Sequence, residues 1–199
     1  MTETQKTIRP IGLAILFIIV GLIGWYAAFA LTLEKLDLLA DPDAIANCDF
    51  SILVQCKANL NSWQGAILGF PNSLLGLTAW AAPIAVGVAL LAGARFDRWF
   101  WIAFNAGALG AFSFVVWLIS NSIFDLNTLC PWCMVTWAVT IPFFYALSLR
   151  NLRDGVFTSN EKARSVGAVL YGWVPALTVA SYLIVAIIAQ IRLDAISYL

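Results

Sequence analysis

Residues 11–33 read IGLAILFIIVGLIGWYAAFALTL, an apolar run without one charged side chain. A helix rises ~1.5 Å per residue and the hydrocarbon core of a bilayer is ~30 Å thick, so a run of this length crosses it once. Comparable runs fall at about residues 74–93, 99–120, 130–149 and 168–191, which gives five spans. None shows the period-2 alternation of a membrane β-barrel strand. Hydrophobic residues make up 62% of the chain and charged residues 11%. Soluble domains sit near ~45–50% and ~25%, so the bilayer is the natural solvent and the spans leave no length for a soluble domain. The expected fold is an all-α integral membrane protein, a single membrane domain over residues 1–199 with an external loop at 34–73.

The first run is also read against a secretory signal. Lys6 and Arg9 precede it, and Ala28-Phe29-Ala30 has the small-x-small form of a cleavage site. The run exceeds the ~7–15 residues of a signal-peptide core, so an uncleaved helix is expected. Orientation follows from the basic residues. With the amino terminus in the cytoplasm, Lys6, Arg9, Arg95, Arg98, Arg150, Arg153, Lys162 and Arg164 lie inside, and only Lys35, Lys57 and Arg192 lie outside. This places the carboxyl terminus outside. Trp25, Trp80, Trp99 and Trp101 stand near span ends and read as interfacial anchors.

Composition also narrows the chemistry. Histidine is absent, which removes imidazole metal ligands, Ser-His-Asp triads and histidine proton shuttles. The 11 basic and 11 acidic residues form no tract of like charge, so a nucleic-acid partner is not expected. Cysteine is left as the reactive side chain.

Cys48 and Cys56 fall in the loop after the first span, and Cys130-Pro131-Trp132-Cys133 opens the fourth span from the same side. All four thiols then face a compartment that permits disulfides. Inert bridges that staple the outer loops are one reading, a natural one for the Cys48 and Cys56 pair. The second pair argues for redox chemistry. Pro131 suits a first helical turn, putting Cys130 at the cap and Cys133 one turn inside. Residues i and i+3 have Cβ atoms about 5–6 Å apart, and a small adjustment reaches the ~3.8 Å of a disulfide. Such a bridge restrains almost no chain, while the positive helix end favours a thiolate. A four-thiolate zinc site is weaker, since seven residues separate the loop pair. Cys133 lies where headgroups meet hydrocarbon, which suits a membrane quinone as electron partner.

Together these residues resemble the vitamin K epoxide reductase family, specifically its bacterial disulfide-forming members, over most of residues 10–150. The resemblance rests on the loop pair Cys48 and Cys56, Ser62 six residues on, Gly69-Phe70-Pro71-Asn72-Ser73-Leu74-Leu75-Gly76 at the start of the second span, and the later Cys-x-x-Cys. The DsbB type carries its Cys-x-x-Cys in the first external loop instead. The resemblance implies a four-helix bundle around a quinone site, menaquinone or ubiquinone, with a fifth transmembrane helix beside it. It implies a relay in which a thioredoxin-like protein hands electrons to Cys48, Cys56 passes them to Cys130, and Cys133 reduces the quinone. It also implies that Asn72 bonds a quinone carbonyl and that Ser62 stabilises the segment beside the ring, while helix capping is the plain alternative for both. Trp137 stands where animal members often carry tyrosine; an indole donates but cannot accept, which favours a plain quinone over an epoxide. Packing in the core is the other reading of Trp137. Many bacterial relatives carry a fused thioredoxin-like domain; here the chain stops at Leu199, so a separate exported DsbA-like partner is expected.

The same cysteines would serve thiol-driven reduction of a naphthoquinone or its epoxide. From another class, a scaffold or small transporter with structural disulfides is weakened by the lack of an ionisable residue well inside any span.

Overall fold

The computed structural model describes residues 11–43 and 45–194, so the expectations for Lys6, Arg9 and the carboxyl-terminal end lie outside the described residues. Among the described residues, five helices are long and apolar enough to cross a membrane: α1 (Ile11–Ala40), α3 (Asn72–Leu91), α4 (Arg98–Phe124), α5 (Pro131–Arg153) and α7 (Val174–Leu193). Two shorter helices complete the order, α2 (Lys57–Asn61) and α6 (Glu161–Gly172), with a 3-10 turn at Trp63–Ala66.

α1 runs seven residues past its apolar stretch. Glu34-Lys35-Leu36-Asp37-Leu38-Leu39-Ala40 contains no helix breaker, and Leu31, Glu34 and Leu38 recur on one buried face at spacings of three and four. At ~1.5 Å per residue the helix is ~45 Å long, about 15 Å more than the hydrocarbon needs, so its last two turns form a post beside the cysteine loop.

The fifth span, expected over 168–191, is α7, and residues 168–172 belong instead to the end of α6. Asn160 caps α6 by accepting the backbone N–H of Lys162 at 2.9 Å. The helix breaks at Trp173, and Pro175 then occupies the first turn of α7, where its missing N–H costs nothing. Hydropathy alone joins the two because apolar side chains continue through the break.

α1 packs along α3 and α5, α4 along α5, and α7 against α4 and α5, while α3 and α4 share no substantial seam among the described residues. The result is a four-helix bundle of α1, α3, α4 and α5 with α7 outside it. Phe17 is fully buried between Phe104 and Phe143, whose ring centroids lie 5.8 and 5.2 Å away.

Of the four tryptophans read as anchors, Trp25 and Trp99 are exposed, whereas Trp80 and Trp101 are buried. Trp80 lies against Gly24, where a Cβ would come within 2.3 Å of the indole, so only glycine admits the ring. Trp101 lies under the Arg150 guanidinium, 4.1 Å from its ring centroid. The cysteines lie at one end of the bundle, and Arg150, Arg153 and Arg164 lie at the other.

Candidate redox centre and adjoining cavity

The loop that carries Cys48 and Cys56 is held at several points. Glu34 on the α1 post accepts the backbone N–H and the side-chain amide of Asn47, both at 3.0 Å, which fixes the residue before Cys48. Lys35 donates from Nζ to Leu60 O and Asn61 Oδ1, both at 2.9 Å, at the end of α2. Asp49 Oδ1 accepts the backbone N–H groups of Cys56 at 2.6 Å and Lys57 at 3.2 Å, satisfying donors at the start of α2.

A short parallel bridge pairs Val54 with Leu129, with Leu129 N–H donating to Leu53 O at 2.8 Å and Gln55 N–H to Leu129 O at 3.1 Å. That pairing sets the register between the loop and the strand-like segment entering α5, and it brings Cys56 beside Cys130.

Cys48 and Cys56 form a disulfide, with Cα atoms 5.7 Å apart, and Cys130 and Cys133 are thiols. Cys130 Sγ lies 3.3 Å from Cys56 Sγ. Cys130 is the N-cap of α5, ahead of Pro131, and its sulfur accepts the backbone N–H of Cys133 at 3.4 Å. Its pKa is lowered from the ordinary thiol value, first by the hydrogen bond from the Cys133 side chain, against burial, with backbone N–H groups of Cys133 and Trp132 assisting. The bridged sulfurs and an Asp49 carboxylate oxygen lie within 4.8 Å of one another. While bridged, those sulfurs are not thiolate metal ligands.

Cys48 is only 3% exposed, among Leu31, Leu38 and Leu60. A residue expected to meet a protein partner is thus covered, and the residue before it, Asn47, is tied to Glu34.

Cys133 faces a cavity of about 570 Å³ between α1, α3, α4 and α5, roofed by the 3-10 turn. Ser62, Asn72 and Trp137 line the same cavity, so the structure brings together every candidate binding residue named from the sequence. Their hydrogen bonds differ from simple capping of a long helix. Ser62 caps the 3-10 turn, donating to Asn59 O at 2.7 Å and accepting Gly65 N–H at 3.1 Å. Gly65 is obligatory there, since a Cβ would approach Asn59 O to 2.4 Å. Asn72 does not cap its own helix. It donates from Nδ2 to Gln64 O at 2.6 Å and accepts Ile67 N–H at 3.2 Å, stitching the turn to the start of α3. Trp137 is buried against Val115, Ile119 and Leu193 as well as lining the cavity, so packing and cavity wall coincide.

Residues that sequence reasoning passed over include Glu34, Asp49, Gln64 and Ser73. Asp49 carried a signal, a carboxylate ahead of a helix start, but the partner N–H groups are seven and eight residues away. Gln64 bonds Asp125, 61 positions on, which no local pattern announces.

No curated protein matches the chain. Residues 15–148, well over half of its length, match the sequence model of the Vitamin K epoxide reductase family. That stretch begins in the first turns of α1, ends near the close of α5 and takes in all four cysteines, and on this match the chain belongs to the Vitamin K epoxide reductase family of oxidoreductases.

Proposed function

We propose that the protein oxidises an exported thioredoxin-like partner and passes the electrons through its two cysteine pairs to a membrane quinone, supporting disulfide formation outside the cytoplasm. One observation carries this reading: Cys130 Sγ lies 3.3 Å from Cys56 Sγ while Cys133, three residues on, faces the cavity.

Each exchange is thiolate attack on a disulfide sulfur. A partner thiolate attacks Cys48, Cys56 leaves as thiolate, and the partner's second thiol resolves the mixed disulfide. Cys56 then attacks Cys130 of the inner disulfide, Cys133 leaves, and Cys48 closes back on Cys56 to release Cys130. These steps leave the outer pair bridged and the inner pair as thiols, the arrangement found in the structure. Closing the Cys130 and Cys133 dithiol releases two electrons and two protons, the number a quinone takes up on becoming a quinol.

The cavity fits such a ligand. Its volume falls within the ~300–1,000 Å³ of small-molecule sites, and its walls are apolar with a few polar groups at the cysteine end. Gly107 and Gly110 of α4 line it with no neighbour within 4 Å of a would-be Cβ, on the side where α3 and α4 do not pack together. That opening gives an isoprenoid-tailed ligand access from the bilayer. The basic end formed by Arg95, Arg98, Arg150, Arg153, Lys162 and Arg164 favours the cytoplasmic side, which puts the cysteines outside.

The test is to combine purified protein, a reduced DsbA-like partner and a menaquinone or ubiquinone analogue, and to follow quinone absorbance. Wild type reduces the quinone and Cys133→Ala does not. Equal rates in the two would refute the relay.

A further inference from the structure

Two polar side chains on the cavity wall have capacity left over. Gln64 is 2% exposed, and its Oε1 has no hydrogen-bond partner; Ser73 is 8% exposed, and its Oγ has none either. The orientation of the Gln64 amide is not arbitrary. Its other end faces the Asp125 carboxylate, which only accepts, so the atom there is Nε2 and the unpartnered one is the carbonyl oxygen. The residue is fixed further through its backbone, where Gln64 O accepts from Asn72. A buried acceptor without a donor is costly, so one that belongs to a cavity-wall residue is a point where a ligand's donor gains a hydrogen bond.

The two redox forms of a quinone differ in just this respect. The oxidised form presents carbonyl oxygens, which only accept; the reduced form presents hydroxyls, which also donate. Ser62 has spent its hydrogen on Asn59 O. Asn72 has spent one of two on Gln64 O and keeps the other for a carbonyl. Gln64 Oε1 can do nothing for a carbonyl, and repels it at close range. Of the two redox forms, only the quinol offers it a donor.

We propose that Gln64, held by Asp125, is a binding residue that recognises the reduced ligand by accepting a quinol hydroxyl at Oε1, so that the cavity distinguishes quinol from quinone. The idea rests on the quinone reading above and adds to it a polar contact specific for the product. Binding the quinol more tightly favours electron transfer from the inner dithiol toward the ligand, with product release made correspondingly slower.

Equilibrium binding tests this without turnover. Reduced full-length protein in detergent is titrated with duroquinol and with its dimethyl ether, which accepts but cannot donate, following quenching of the tryptophan fluorescence that Trp80 and Trp137 on the cavity wall contribute. The wild type is expected to bind duroquinol about tenfold more tightly than the ether, as loss of a hydrogen bond to a buried acceptor implies. In Gln64→Met, of similar length and without the acceptor, the ratio falls to about one. In Ser73→Ala the wild-type ratio persists, which excludes the other unpartnered side chain as its source. The wild-type comparison of the two ligands keeps the proposal open to refutation even if the methionine variant fails to fold.

Equal affinities for the two ligands in wild type, an unchanged ratio in Gln64→Met, or loss of the ratio in Ser73→Ala would each overturn the proposal while leaving the cavity as a quinone site. Binding of neither ligand would overturn both readings.

Discussion

Asp49 Oδ1 accepts the backbone N–H of Cys56 at 2.6 Å, so a carboxylate seven residues upstream sets the position of the cysteine that faces Cys130. A hydrogen bond to a charged group contributes about 1.5–3 kcal/mol, and removing this one frees two backbone donors at the start of α2. Asp49→Ala is therefore expected to slow electron passage from dithiothreitol to a quinone analogue by roughly tenfold or more. Asp49→Asn, which keeps an acceptor oxygen, loses less. Equal rates for all three proteins would remove Asp49 from the positioning of Cys56.

The covered position of Cys48 leads to a prediction of opposite sign. Glu34 ties Asn47, the residue before Cys48, to the α1 post through two hydrogen bonds. Glu34→Ala weakens that clasp, and opening of the loop becomes cheaper by about 1–3 kcal/mol. Reduction of the Cys48–Cys56 bridge by a small water-soluble phosphine should accelerate several-fold, read by mass shift after alkylation. A slower or unchanged rate would mean that access does not pass through Asn47.

The open side of α4 gives a substitution that separates stability from binding. Gly107 is a helix-interior glycine on the cavity wall, and a Cβ there meets nothing within 4 Å. Gly107→Leu should raise helix stability by up to ~1 kcal/mol while its side chain takes up ligand space. The expected result is an unchanged or higher Tm with a KM for the quinone analogue raised at least about fivefold, the cost of overfilling a shaped site. An unchanged KM would place the ligand elsewhere.

Acidity at Cys130 has a defined direction. The Cys133 thiol donates to the Cys130 sulfur and is the largest of the influences that lower its pKa. Stabilising the thiolate means that Cys130 ionises at a lower pH than an ordinary thiol. The thiolate ultraviolet absorbance of Cys130, measured in Cys133→Ala against the wild type, should therefore titrate at higher pH in the variant. A shift to lower pH would reverse the assigned role of the Cys133 hydrogen bond.

Hydropathy made the five membrane helices of the described residues legible because each contains an apolar run long enough to cross the ~30 Å hydrocarbon core. It did not show α1 continuing to Ala40, since Glu34, Lys35 and Asp37 read as loop charges although Leu31, Glu34 and Leu38 keep the helical spacing. Nor did it separate α6 from α7, because Trp173 and Pro175 interrupt the backbone without interrupting the apolar character.

At the candidate site, Cys48, Cys56, Cys130, Cys133, Ser62, Asn72 and Trp137 stood out as residue types at suggestive spacings. Glu34, Asp49 and Gln64 did not, because each acts through a partner remote in sequence or through backbone groups that every residue shares. The buried Trp80 and Trp101 were indistinguishable from interfacial tryptophans for a related reason: the glycine and arginine that accommodate them come from other helices.

Transfer between Cys56 and Cys130 is the step on which the whole relay depends, and it is open to direct capture. In a Cys48→Ala/Cys133→Ala variant the two remaining thiols have only each other as partners. Mild oxidation in native membranes, followed by alkylation and peptide mass mapping, should yield a near-quantitative Cys56–Cys130 disulfide, since the two sulfurs are already 3.3 Å apart. Recovery of both cysteines as alkylated thiols would contradict the relay at its centre.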